Sequence, residues 1–354
     1  MSYRPTISVI IPAYNAARTI CHAMESALAQ TYRPQEILVI DDGSQDDTAR
    51  IVADYPAPVQ LLQRPNGGPA AARNQGARQA QGEWLALLDA DDHWLPHKLE
   101  LQIVHASDPS VGLIHCFDEG NRRYRCPSKL TFDRLWDRNS ISASSVLIRR
   151  AAFESVGGFN EDPALISIED YNLWLRIAAA AWKIATVKEA LWCYTPAPGN
   201  LSSDVERCAL AELANVEAIS KQFALSANQI ARKRIAVYEA YGQDLFYYRQ
   251  LPAARRWLST PLKADPSLAL FARWCATFLP VPLLDLYRQL HVSRKGHGDA
   301  SHESHNTACG TYTPRDECRS GAPGHRNGGY DSGLEFSPHQ HHKSRGRSPC
   351  RPRH

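Results

Sequence analysis

Trp84-Leu85-Ala86-Leu87-Leu88-Asp89-Ala90-Asp91-Asp92 joins an unbroken apolar run to a cluster of carboxylates, and that junction decides the fold. A short apolar run without alternation reads as a strand buried on both faces. Carboxylates crowded at its end repel one another unless a cation or hydrogen-bond donors compensate. Hard oxygen ligands of this kind suit Mg²⁺ or Mn²⁺, which keep waters and bridge to substrate phosphates. Taken alone, the triplet reads more plainly as a solvated acidic turn capping the next helix. Its neighbours argue for more.

Working outward, residues 7–11, 36–40 and 59–63 read as further strands, and residues 19–29 and 70–80 as helices. The alternation predicts β-α-β units on a mostly parallel sheet. Ligands on such sheets bind at the carboxyl ends of the strands, where helix N-termini supply backbone N–H groups. Asp41-Asp42-Gly43-Ser44 follows the second strand, with Asp46-Asp47-Thr48 behind it. Ser44 and Asp47 suit capping of the next helix. That leaves Asp41 and Asp42, one of which could accept the imide N–H of a uracil while Gly43 lets the backbone approach a base or ribose.

Asn66-Gly67-Gly68-Pro69 feeds a helix that carries Arg73 one turn in, available for a phosphate or for a carboxylate of the neighbouring clusters. Beyond residue 108 the pattern mixes. Residues 111–117 and 144–148 read as strands, Gly157-Gly158-Phe159 as a turn, and residues 170–181 as a helix. Glu169 and Asp170 open that helix, where the macrodipole favours acidic residues. A positioned carboxylate is also what an inverting sugar transfer needs, because it takes the proton from the acceptor hydroxyl.

Ser8-Val9-Ile10-Ile11-Pro12-Ala13-Tyr14-Asn15, Asp41-Asp42-Gly43-Ser44, Arg73-Asn74-x-Gly76, Asp89-Ala90-Asp91-Asp92 and Glu169-Asp170, in this order from Ile7 to about Tyr194, resemble glycosyltransferase family 2. The resemblance implies an α/β GT-A fold, a Rossmann-like mixed sheet flanked by helices. It also implies inversion at the anomeric carbon and a nucleotide-diphospho-sugar donor, with a UDP-sugar favoured. Carried onto this sequence, Pro12, Ala13, Tyr14 and Asn15 would line the nucleotide and Asp41 or Asp42 would meet the base. Arg73 would serve the donor, Asp89 would face the ribose and Asp91 would hold the Mg or Mn cation. Asp170 would be the general base, with Glu169 beside it. A saccharide or lipid-linked acceptor in surface polysaccharide synthesis is implied. The absence of a Q-x-x-R-W motif points to single additions, not processive synthesis.

Three other readings are weighed. A catalytically inactive protein that binds a sugar nucleotide or scaffolds a pathway would lack the carboxylates, and all are present. A nucleotidyltransferase needs a Gly-rich basic phosphate loop, which Ile11-Pro12-Ala13-Tyr14-Asn15 does not supply. A formal charge of +3 over 354 residues is too small to argue for nucleic acid.

At 44% hydrophobic and 22% charged residues the chain reads as soluble and globular. Its nine cysteines include no C-x-x-C pair, which reads as reduced, cytosolic usage. No signal peptide or membrane-spanning run is legible, so a cytoplasmic location is expected. Residues 1–202 read as the catalytic domain and residues 203–290 as a helical appendage. Residues 291–354 hold nine of the fourteen histidines and almost no aliphatics, the composition of a disordered tail. Short runs such as His339, His341 and His342 are common in such tails without a ligand. Leu268, Phe271, Trp274 and Phe278, with Arg273, Arg288, Arg294 and Lys295 nearby, could seat a helix peripherally at the inner face of the cytoplasmic membrane or equally pack on the catalytic domain.

Overall fold

Val9, Ile10 and Ile11 are wholly buried because the strand that carries them is covered on both faces and paired on both edges. The computed structural model describes residues 4–121, 129–195 and 201–286. The tail and residues 287–290, with Arg288, Arg294 and Lys295, lie outside them. All described residues belong to one compact unit.

Strand β1 (Ile7–Ala13) is followed by α1 (Ile20–Leu28), β2 (Glu36–Asp41), α2 (Thr48–Ala53), β3 (Val59–Gln63), α3 (Pro69–Gln79) and β4 (Trp84–Leu87). Then come β5 (His93–Trp94), α4 (Lys98–Ile103), β6 (Val111–Asp118), α5 (Phe132–Asp137), β7 (Leu147–Arg149) and α6 (Arg150–Ser155). The chain continues through α7 (Glu169–Ala179), β8 (Lys183–Cys193), α8 (Val205–Gln222), α9 (Ala227–Tyr247), α10 (Leu251–Ala264) and α11 (Leu268–Ala276).

One sheet runs in the order β3-β2-β1-β4-β7-β6-β8-β5. Strands β3, β2, β1 and β4 pair in parallel, whereas β7 runs against both β4 and β6. The sheet is therefore mixed, as the GT-A resemblance implies, and parallel throughout only in its first half. Strand β1 has β2 on one side and β4 on the other, so the chain order reverses between β1 and β4. That reversal opens a crevice at their carboxyl ends, the usual ligand position on such sheets.

Helix α3 lies close against this crevice. A Cβ at Gly76 would stand 2.7 Å from side-chain atoms of Ile10 and Ile40, so only glycine permits the approach. The sheet divides the interior into two cores. One joins α1 and α4 to Ile11, Val39, Trp84 and Leu147; the other joins α3, α7, α8, α9 and α10 to Ile10, Leu87 and Ile148. Each fully buried leucine or isoleucine in them stabilises the fold by roughly 1.5–3 kcal/mol.

Three expectations need correction. Residues 144–148 do not form one strand: Ala143–Ser145 is a 3-10 turn and the strand starts at Leu147, because Ser144 is drawn into contacts with Asp89 and Asp92. Ser44 and Asp47 do not form a capping box; the Asp47 side chain makes no cap bond and Ser44 accepts from the Asn15 backbone N–H. Cys116, Cys193, Cys208 and Cys275 are free, but Cys21 is disulfide-bonded, against the reading of all nine as reduced. Sequence spacing does not disclose which cysteines meet in space.

Candidate active site

The carboxyl ends of β1 and β2 share one bend. Asn15, with a left-handed φ of 50°, donates its backbone N–H to Ser44 Oγ at 2.9 Å and accepts from Gln45 N–H through Oδ1 at 2.8 Å. Pro12 is half-buried, Ala13 buried and Tyr14 exposed, so the bend offers an apolar floor and an aromatic rim. Beside it Asp41 accepts from Ser44 N–H at 3.1 Å and from Gln63 Nε2 at 3.4 Å. Asp42 accepts from Gly67 N–H through both oxygens and from Gly68 N–H at 2.8 Å, and pairs with Arg64 Nε at 3.2 Å. Burial pushes the Asp42 carboxyl up, and the two N–H groups and Arg64 oppose that. Asp42 thus organises the Gly67-Gly68 loop, where Gly68 takes a φ of 85° ahead of Pro69.

Arg73 joins the two halves of the cleft. Its Nη2 donates to Asp89 Oδ1 and its Nη1 to Glu169 Oε1, each at 2.6 Å, while the guanidinium lies over the Phe159 ring at 5.5 Å. It is 5% exposed, and the two carboxylates keep it charged against the cost of burial. Asn74, next along α3, grips Phe159 at both N–H and C=O and reaches Glu161 at 2.7 Å. The Gly157-Gly158 turn, with φ of 75° and 72°, brings that loop around. The role of Asn74 is not legible in the sequence because its partner Phe159 lies 85 residues away.

At the end of β4, Ser144 is the residue that sequence reading missed. Because β7 runs antiparallel with Leu147 opposite Ala86, the residues before it return beside Asp89. Ser144 Oγ accepts from Asp89 N–H at 3.1 Å and donates to Asp92 Oδ2 at 2.6 Å. Asp92 Oδ1 accepts from Thr195 N–H, so both of its oxygens are engaged. Burial, reinforced by Asp89 and Asp91, pushes Asp92 well above the usual carboxylate range. Asp91, between them, is half-buried.

Among the described residues no group of three or more His, Cys, Asp or Glu side chains could hold a metal. Asp92 is taken by Ser144 and Thr195, and Asp89 Oδ1 by Arg73. Asp91 lies half-buried beside them, and a hard carboxylate at that position suits Mg²⁺ or Mn²⁺ whose other ligands come from water and a diphosphate, not a zinc cage.

Glu169 is buried, held by Arg73 and by Ser167 N–H at 2.8 Å, with Ser167 in a left-handed φ of 86°. Such strain in a non-glycine residue persists only where its surroundings hold it. Asp170 stands half-buried at the head of α7 and accepts from Tyr171 N–H. Burial pushes its carboxyl up to about 7; Glu169 adds to the shift and Arg73 opposes it. Glu169 is thus anchored while Asp170 is held near neutral pH beside the same arginine.

Residues 8–157 match the model of Glycosyl transferase family 2. A Rickettsia conorii protein named as an uncharacterised glycosyltransferase is 37% identical over 196 residues, 51% of this chain and 32% of that relative. The chain thus spans about a third of that relative's length. The Escherichia coli enzyme WfgD, named as a UDP-Glc:α-D-GlcNAc-diphosphoundecaprenol β-1,3-glucosyltransferase, is 32% identical over 179 residues, 48% of this chain and 69% of the enzyme. Among solved structures, a Pyrobaculum calidifontis mannosyltransferase in complex with GDP-Man and Mn²⁺ superposes with a TM-score of 0.57 at 22% identity, over 82% of this chain and 81% of that one. Staphylococcus aureus TarS in complex with UDP gives 0.52 at 20% identity, over 80% and 91%. These two likenesses establish the fold.

Proposed function

The chain belongs to glycosyltransferase family 2, and we propose that it moves one sugar per encounter from a nucleoside-diphospho-sugar to a saccharide or lipid-linked acceptor, inverting the anomeric carbon, in the synthesis of a surface polysaccharide. One observation carries this reading. Arg73 ties the end of β4 to the head of α7, so a donor seated at the strand ends and a base at Asp170 would share one cleft.

In this proposal Pro12, Ala13, Tyr14 and Asn15 line the nucleotide, Asp41 meets the base, and Asp42 shapes the loop beside it. A uracil is favoured, since its imide N–H needs an acceptor and the E. coli relative is named for a UDP-sugar. Asp89 faces the ribose and Asp91 holds Mg²⁺ or Mn²⁺. When bound, that cation would neutralise charge on the departing diphosphate. Asp170 takes the proton from the acceptor hydroxyl as its oxygen bonds to the anomeric carbon and the bond to the diphosphate breaks. A base with a pKa near the working pH suits that step. Arg73 and Glu169 hold the carboxylate's surroundings fixed.

A lipid-linked acceptor would be met at a membrane surface. Among the described residues no helix is long and apolar enough to cross a membrane. On α11 and after it, Leu268, Phe271, Phe278, Leu279, Leu283 and Leu286 are exposed, with Arg273 on the same helix. Apolar surface with basic flanks supports a peripheral seat in the headgroup region at the inner face of the cytoplasmic membrane.

A panel of sugar nucleotides, assayed for release of nucleoside diphosphate with Mg²⁺, Mn²⁺ or chelator, tests the reading. Metal-dependent release from one or a few donors supports it. A protein that binds sugar nucleotides and releases nothing with any acceptor extract is a binding module. Sedimentation with anionic against neutral vesicles, repeated on Trp274→Ala with Phe278→Ala, tests the membrane seat; wild-type protein left wholly in the supernatant at low salt ends it.

A further inference from the structure

Helix α7 is held from below as well as at its head. Asn172 and Arg176 are four residues apart and so lie on one face of the helix. Arg176 Nε donates to Asn172 Oδ1 at 2.8 Å, and its Nη1 and Nη2 donate to the carbonyls of Val156 and Gly158, both at 2.6 Å. These acceptors are all neutral, and burial lowers the arginine to about 10. Asn172 Nδ2 donates across to Asn215 Oδ1 on α8 at 2.8 Å. The bonds form a ring: Gly158 precedes Phe159, Phe159 is gripped by Asn74, and Asn74 follows Arg73, which holds Glu169 back at the head of α7. Asn172, Arg176, Asn215, Asn74 and Arg73 are all buried.

We infer that Asn215 is a positioning residue for sugar transfer: through Asn172 and Arg176 it fixes α7, and with it the carboxylate of Asp170. The physical reason is the polarity of an amide. By accepting from Asn172 Nδ2, Asn215 leaves Asn172 Oδ1 facing the guanidinium. Without that acceptor the buried N–H₂ is orphaned, and a flipped amide would turn its N–H groups onto Arg176. Both outcomes displace the arginine from the Gly158 carbonyl and loosen the ring. A second tie supports the same helix beside Asp170. Tyr171 donates to the Leu135 carbonyl, and Lys233 of α9 lies 5.4 Å over its ring while pairing at 2.8 Å with buried Glu212, which also accepts from Tyr241. On this view the helices after Ser203 serve the chemistry and are more than an appendage.

The inference rests on Asp170 as the base, so the experiment separates the two. Full-length Asn215→Leu, Asn215→Asp, Val216→Ala and Asp170→Asn are assayed with UDP-glucose and Mn²⁺, or with whichever panel donor is turned over. The readouts are kcat against pH and UDP affinity by calorimetry. Asn215→Leu should lower kcat about 10- to 100-fold, as small misplacements of catalytic groups do. It should also shift the pH midpoint, which reports Asp170 among its charged neighbours Glu169, Arg73 and Asp89, and leave UDP affinity unchanged. Asn215→Asp keeps the acceptor oxygen and should regain most of kcat. Val216→Ala loosens the same helix without touching the ring and should keep wild-type kcat. A folded Asn215→Leu with wild-type kcat and midpoint overturns the inference, as does a loss of kcat that Val216→Ala matches or that UDP affinity follows. If Asn215→Leu does not fold, Asn215→Ser is judged by the same readouts. If Asp170→Asn turns over normally, the base assignment fails; if it is inactive while Asn215→Leu is normal, only this inference falls.

Discussion

In the turn after β2, Asp41 and Asp42 are 2% and 3% exposed, and both carboxylates accept from backbone N–H groups of nearby loops. In the turn after β4, Asp89 keeps 32% of its side chain exposed and Asp91 is half-buried, while Asp92 alone is sunk and satisfied by Ser144 and Thr195. Runs of similar composition therefore do different work. Asp42, whose oxygens are filled by the Gly67 and Gly68 N–H groups and by Arg64, holds a loop in place. At the end of β4, Asp89 and Asp91 stay nearer the surface while Asp92 is tied down beneath them. Glu169 and Asp170 repeat the division, the first clamped by Arg73 and Ser167, the second at the cleft.

Replacing Asp91 by asparagine should do the most damage, since it keeps the shape and removes the charge expected to hold the cation. Transfer should be abolished, and residual activity should lose its response to Mg²⁺ and Mn²⁺. Near-normal turnover with an unchanged metal response would move Asp91 into the same class as Asp42.

Asp170→Asn should follow, lowering kcat about 10²–10⁴-fold, the range for losing a general base, with donor affinity close to wild type. The wild-type pH profile is part of the same test. Because burial pushes Asp170 up to about 7, its basic form is depleted below that pH, so kcat should rise through about pH 7 and level off above it. The variant should lose that limb. A wild-type profile flat between pH 5 and 8 would place the base elsewhere.

What could be read in advance divides along physical lines. The strands of the first half are continuous apolar runs because neighbours cover them on both faces, and their acidic ends announce themselves by position. Ser144 could not be found this way: it meets Asp89 and Asp92 from 55 and 52 residues away, after β7 has turned back along β4. The apolar residues of 144–148 read as one strand, but Ala143–Ser145 is a 3-10 turn in which Ser144 donates to Asp92. Arg73 is legible as a cation available to a phosphate or a carboxylate, but its pairing with Glu169 bridges 96 residues. Strand β8 interleaves Lys183, Lys188 and Glu189 with apolar residues along an irregular pairing with β6, which hides its period. Asn172 and Asn215 are ordinary polar residues on helices until they face each other in a core.

A smaller effect is expected on the β2 side. Asp42→Asn offers one acceptor oxygen where Gly67 and Gly68 need a carboxylate, and it leaves Arg64 without its ion pair. Stability should fall by about 1–3 kcal/mol, the cost of leaving buried donors unsatisfied. Thermal unfolding would read this as a lower Tm, with kcat of the folded fraction near wild type. If Tm holds and kcat collapses, Asp42 acts on the donor and the two turns are not different in kind.

The smallest effects separate Ser44 from Asp47, which look like partners in one helix cap. Asp47 is exposed and faces Arg50 at 3.0 Å, both side chains lying in water. Screening leaves such a pair little influence, so Asp47→Ala should leave Tm and donor KM unchanged. Ser44 is different: its hydroxyl receives the N–H of Asn15, whose left-handed φ makes the bend under the expected nucleotide. Losing one hydrogen bond of ordinary strength, about 1 kcal/mol, corresponds to a rise in donor KM of about threefold to tenfold, with kcat unchanged. Steady-state kinetics on the two alanine variants would show it. Should Asp47→Ala raise KM as much as Ser44→Ala, the bend depends on the start of α2, and the β2 turn would be one capping unit after all.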